Sequence, residues 1–166
     1  MKIKKDGFVI PIAFGISLML CFLFELIICK RSYELLHIIY DKISLPPLWI
    51  FSSLYILCLF LLGVGAGFFV KEIFDGRASL QSENTILKGA IFCIPSCFFI
   101  LLWYPLLFSI QMPLLSVIFA FLSLILLIAA LLFWLRASIL YSLFVFPCVI
   151  WSAYLLITSL ILVFKI

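Results

Sequence analysis

The chain has 166 residues, of which 68% are apolar and 11% charged, against roughly 45–50% and 25% in an ordinary soluble domain. A soluble fold of this size cannot bury that much apolar surface, so the surrounding solvent must be lipid. The net charge is only +4, and no basic tract or base-reading motif accompanies it, which removes nucleic acid as a partner.

An apolar helix needs ~20 residues to cross ~30 Å of hydrocarbon. Five stretches meet that length. The first covers residues 7–29, behind a basic start of Lys2, Lys4 and Lys5. It is longer than the usual ~7–15 residue core of a signal peptide and has no small-x-small cleavage pattern, so a retained helix is expected. A polar loop from residue 30 to 46 follows, with Lys30, Arg31, Glu34, His37, Asp41 and Lys42, and ends in Pro46-Pro47. The second helix is expected over 47–70. A second polar loop over 71–84 carries Lys71, Glu72, Asp75, Arg77 and Glu83.

The third helix is expected over 87–110 and the fourth over 113–135. Residues 89–135 contain no charge, and only Gln111-Met112-Pro113 divides them. Pro113 suits the first turn of a new helix, so these two helices form a tight hairpin. Arg136 alone separates them from a fifth helix over 138–164. The expectation is an all-α integral membrane protein, a single five-helix domain spanning residues 1–166 with termini on opposite faces. The cell membrane is the expected location. Lys and Arg number seven on the N-terminal side and four on the other, which leans by a small margin towards an N-terminus inside.

Chemistry-bearing residues are few. Glu25 is the only acid or base within the spans. Intramembrane carboxylates are often functional, but Glu25 is one turn from Lys30, so interfacial and pocket roles both stand. His37 is the sole histidine, so a nucleophile–histidine pair is not available. The six cysteines lie in or at the ends of apolar runs; Cys93 and Cys97 are spaced to share a helix face. They read as packed or lipid-facing thiols, and no metal site, catalytic residue or required cofactor is expected. Binding is favoured over catalysis, and the chain is read as no enzyme.

Aromatic residues are the remaining signal. Trp49, Trp103, Trp134 and Trp151 lie in or beside four different helices, with Tyr55, Tyr104, Tyr141 and Tyr154 among them. They suit either an interfacial belt or an apolar cavity for a planar ring system. Gly63 and Gly67 form a GxxxG pair, which permits close helix approach within the bundle or at a dimer contact. Pro11, Pro95, Pro105 and Pro147 fall inside helices, where each is expected to kink the helix or open a gap. Leu36, Tyr40 and Lys42 fit a permissive cholesterol-contact pattern.

Three stretches resemble the translocator protein family, also called tryptophan-rich sensory proteins (TspO/MBR). Pro46-Pro47-Leu48-Trp49-Ile50-Phe51, followed by Tyr55, Gly63 and Lys71-Glu72, is similar to the family's PPxW segment and second helix. Trp103-Tyr104-Pro105-Leu106-Leu107-Phe108 is similar to its Trp-x-Pro-x-Phe-Phe segment. Pro147 with Trp151-Ser152-Ala153-Tyr154 resembles its fifth-helix Pro-x3-Trp. Five spans, a long first loop and the short hairpin extend the likeness over essentially the whole chain.

The resemblance implies a five-helix bundle, commonly a homodimer, that binds porphyrins, sterol-like molecules or aromatic ligands between its helices and beneath the first loop. Carried over, Trp103 and Trp151 are stacking surfaces, Trp49 and Tyr154 are walls, and Pro46 and Pro47 shape the closing loop. There are departures. The tryptophan preceding the double proline falls at Ser44 or Leu45, and the first loop's Trp-Tyr pair has no clear match. The third-helix asparagine falls at Ile100 and a fifth-helix asparagine near Ser159. A small residue is replaced by Leu155, which fills pocket volume. The implied function is a membrane receptor or sensor for a porphyrin-like or other flat apolar ligand. The alternatives are an interaction or regulatory protein with a vestigial pocket, and a small transporter.

Overall fold

The computed structural model describes residues 9–28, 48–75, 80–137 and 139–165. These residues form five helices: α1 (Val9–Ile28), α2 (Leu48–Asp75), α3 (Leu80–Phe108), α4 (Pro113–Ala137) and α5 (Ile139–Lys165). Four contain long apolar spans: Ile50–Phe68, Thr85–Phe108, Pro113–Arg136 and Ser142–Phe164. The apolar run in α1, Val9–Leu23, is shorter. At ~1.5 Å per residue the 20 residues of α1 still reach ~30 Å, the thickness of the hydrocarbon layer.

Helix length and apolar length differ at the second connection. The expected loop over 71–84 is mostly helical, since α2 runs on through Lys71 and Glu72 to Asp75 and α3 starts at Leu80. Bilayer thickness limits the apolar stretch and leaves the helix free to continue into water. Lys, Glu and Gln are good helix formers there. At the other end, α3 stops at Phe108 rather than 110, and α4 runs to Ala137 with Arg136 in its last turn, a favourable place for a cation. α5 is shifted by one residue, to 139–165.

The α3–α4 hairpin turns at Ser109–Met112. Gln111 takes a left-handed φ of 58°. The Ser109 and Ile110 amides donate to the Pro105 carbonyl at 2.9 and 3.0 Å, and Met112 donates to Leu106 at 3.0 Å. Two of the freed carbonyls at the end of α3 are thereby satisfied within the turn itself.

Packing follows the chain. α3 on α4 is the most extensive contact, then α1 on α2 and α4 on α5; α2 also meets α5 and, more lightly, α3. The α1–α2 contact is made backbone to backbone. A Cβ at Gly63 would lie 2.7 Å from the Gly15 Cα and the Phe14 carbonyl oxygen, and one at Gly67 only 2.4 Å from the Pro11 Cα. The GxxxG face is therefore occupied by α1 of the same chain. Van der Waals contact at this range is a main source of helix association in lipid, where the hydrophobic effect contributes little. Hydrogen bonds join other pairs. The Ser123 and Ser152 hydroxyls meet at 2.6 Å between α4 and α5, and the Trp134 indole donates to the Ile86 carbonyl at 3.1 Å between α4 and α3. Trp134 reaches Ile86 because Gly89 has no Cβ, which would sit 2.2 Å from the indole nitrogen.

Candidate functional site

α2 and α3 bring Phe51, Tyr55, Trp103 and Tyr104 to the half of the bundle nearest the first loop. α5 adds Trp151 and Tyr154, and α1 adds Phe22. The rings form one continuous network. Phe51 is its hub, with centroids 6.1 Å from Tyr55, 6.1 Å from Trp103, 5.2 Å from Trp151 and 6.3 Å from Tyr154. Phe22 stacks on Tyr55 at 4.3 Å and meets the edge of Tyr104 at 5.6 Å. Trp151 and Tyr154, one turn apart on α5, stack at 5.1 Å. Such offset and edge-on pairs are each worth ~0.5–1.5 kcal/mol beyond area burial.

The polar ends of these rings divide into two groups. Tyr55 donates its hydroxyl to the Ile100 carbonyl. Trp103 donates its indole N–H to the Ser159 hydroxyl at 2.7 Å, and Ser159 donates in turn to the Leu155 carbonyl at 2.8 Å. These bonds tie α2 to α3 and α3 to α5. Among the described residues, the Trp151 indole nitrogen and the Tyr154 hydroxyl, by contrast, are buried with no partner within hydrogen-bond distance.

The sequence-expected residues are not equivalent. Trp103 is 0% exposed and bonded, and Trp151 is 7% exposed. Tyr154 is half-buried beside Trp151. Leu155 is 0% exposed, one turn after Trp151. Trp49 lies in the first turn of α2, but its side chain is outside the described residues, as are Pro46, Pro47, the first-loop cholesterol pattern and the Glu25 side chain. Two contributors went unrecognised in the sequence. Phe51 was visible only as part of the PPxW stretch. Phe22 follows Pro11 and Gly15 at helical spacing, so it shares the stripe that α1 turns towards α2.

Other features lie apart from the rings. An open groove of about 470 Å³ between α1 and α2 is lined by Met19, Ser53, Ile56, Leu57 and Phe60, none of them an expected site residue. Cys93 and Cys97 are both buried on α3, and the Cys148 thiol points at the Cys58 carbonyl, 3.2 Å away, across the α2–α5 contact. Among the described residues no group of three or more His, Cys, Asp or Glu side chains is arranged to hold a metal.

Apolar helices around a ring-lined, hydrogen-bonded interior define a multi-pass integral membrane protein. A family model described as the TspO/MBR family matches residues 39–164, more than half of the chain, and the chain belongs to that family. The match takes in α2 to α5 and leaves α1 outside, so the likeness is narrower than the whole chain. α1 contributes apolar bulk and close packing, which many sequences satisfy. No curated protein and no solved structure matches the chain. Membership implies a membrane protein of sensor or receptor type.

Proposed function

We propose that this protein is a TspO/MBR-type receptor or sensor that binds a porphyrin-like or other flat apolar ligand between α2, α3 and α5, near the first loop. The 166 residues act as one domain in the cell membrane, as a homodimer, without a catalytic step or required cofactor. The observation that carries the reading is the ring network contributed by three helices, with Trp151 and Tyr154 stacked at its α5 edge. In this reading Trp151 offers the stacking face and Tyr154 flanks it. Trp103, held by Ser159, is a fixed wall, while Trp49, Pro46 and Pro47 close the site from the first-loop side.

The test is a protoporphyrin titration followed by tryptophan emission. Saturable quenching is expected. Trp151→Leu should weaken binding roughly 2- to 13-fold, the equivalent of losing one ring contact of ~0.5–1.5 kcal/mol. Absence of saturable quenching in wild type would remove the receptor reading for this ligand class.

A second reading is an interaction or regulatory protein with a vestigial pocket. The full burial of Leu155 favours it, because its side chain stands where the family resemblance implies a small residue and would fill pocket volume. Under that reading Leu155→Ala restores no binding.

A further inference from the structure

The α3–α4 hairpin carries two cations at its open end, away from the Ser109–Met112 turn. Lys88 is the fourth residue of the apolar span Thr85–Phe108, and Arg136 is the last residue of the span Pro113–Arg136. Both side chains are exposed. At ~1.5 Å per residue, Lys88 lies ~4.5 Å inside the end of its span. Its four-carbon stem can carry the ammonium out to headgroup level, as long basic side chains do at helix ends.

The packing of the hairpin brings the two cations to one seam. The Trp134 indole donates to the Ile86 carbonyl at 3.1 Å, which fixes the level of α4 against α3. Phe92 and Phe133 stack across the same contact, with centroids 5.6 Å apart and planes 4° from parallel. Both rings are only partly buried, so the pair marks the outer face of the seam. Lys88 is four residues before Phe92, and Arg136 is three after Phe133. Those spacings keep side chains on one helix face. The helices of a hairpin are antiparallel, so both steps lead towards its open end. The cations therefore flank the seam one turn beyond the stacked rings, on the same outer face. Neither has an acid three or four residues away on its own helix.

Deeper along the seam the surface is apolar. Ile91 and Leu132, one turn further in, are 57% and 56% exposed. Two positive charges at the hydrocarbon edge, above an apolar and ring-bearing surface, complement a molecule with a negative headgroup and long hydrocarbon chains. We propose that the α3–α4 seam binds one anionic phospholipid, with its phosphate between Lys88 and Arg136 and its acyl chains along Phe92, Phe133, Ile91 and Leu132. Interfacial Lys and Arg are common for topological reasons. The pairing of two across one seam, above stacked rings, is what makes this a site. It lies on the outside of the bundle, at the opposite end from the ring network, and does not depend on the receptor reading.

Native mass spectrometry of the detergent-solubilised full-length protein tests it. Dioleoyl phosphatidylglycerol is compared with dioleoyl phosphatidylcholine, which has the same chains and no net charge. Wild type should retain one phosphatidylglycerol per chain at concentrations where phosphatidylcholine is lost. Lys88→Gln and Arg136→Gln should each weaken phosphatidylglycerol about fivefold, the effect of one basic side chain at an anionic lipid, and leave phosphatidylcholine within about twofold. Lys88→Arg keeps the charge and should bind as wild type does. Lys71→Gln removes a cation of α2 at the same end of the bundle and should change nothing. Equal retention of the two lipids by wild type would overturn the proposal. An equal loss in Lys71→Gln would also overturn it, since the general charge of that membrane face would then explain the binding. The wild-type preference should shrink as salt rises, a readout that does not require any variant to fold. A preference indifferent to salt would remove the charge pair from the argument.

Discussion

Trp103 on α3 and Ser159 on α5 are joined by an indole N–H to hydroxyl hydrogen bond of 2.7 Å, both groups fully buried. Ser159 passes the interaction on to the Leu155 carbonyl, so a single small side chain couples the α3 tryptophan to the backbone of α5. The serine stands near the place of an asparagine in the family's fifth helix and supplies the acceptor that a buried indole requires.

Removing that acceptor should be measurable. Ser159→Ala leaves the Trp103 N–H unmatched and is expected to lower stability by ~0.5–2 kcal/mol. In a Trp103→Phe background the same change should cost much less, because the donor is already gone. A double-mutant cycle from detergent melting or denaturant titration reads the coupling. Additive effects would show that the contact contributes nothing to stability.

The glycine face separates two roles that the GxxxG spacing leaves open. Gly67→Leu and Gly63→Leu place side-chain atoms on the α1 backbone, which has no flexible end to move aside. Each should destabilise the bundle by well over the ~1–3 kcal/mol typical of overpacking. Gly65→Ala should be mild, because a Cβ there meets Phe144 at an ordinary 3.4 Å. Crosslinking of the solubilised protein, alongside melting curves, tests the assignment. Normal melting with a lost dimer in Gly67→Leu would place the glycines at a contact between chains.

Leu155 bears on whether a ligand can enter. Leu155→Ala removes a wholly buried side chain next to the ring network. It should cost ~2–5 kcal/mol in stability through the cavity left behind. It should also tighten porphyrin binding, seen as quenching at lower concentration than in wild type. A loss of stability with no gain in binding would favour the vestigial-pocket reading.

With all five helices spanning, the two termini are expected on opposite membrane faces, and the Lys and Arg balance leans by a small margin towards an N-terminus inside. Reporter fusions at each terminus should report opposite compartments. Reporters on the same side would contradict an odd number of spans, and an inverted pair would correct the orientation alone.

The sequence by itself determined the membrane environment, the five helices and the α3–α4 hairpin. Those follow from apolar length and the lack of charge over residues 89–135, quantities that need no partner to evaluate. It also determined the family, since the motifs at Trp49, Trp103 and Trp151 keep their order along the chain. Helix ends near residues 71–84 were less legible, because the bilayer limits apolar length and not helix length. Only the tertiary structure decided which ring donors are matched. Trp103 and Trp151 look alike in sequence, but one meets Ser159, 56 positions away, and the other meets no acceptor among the described residues. It likewise decided that Gly63 and Gly67 face α1, because close approach depends on the rotation of two helices about their axes. In a lipid-embedded bundle that rotation is weakly encoded by polarity, since lipid and protein interior are both apolar, and it is chosen by packing and hydrogen bonds between distant residues.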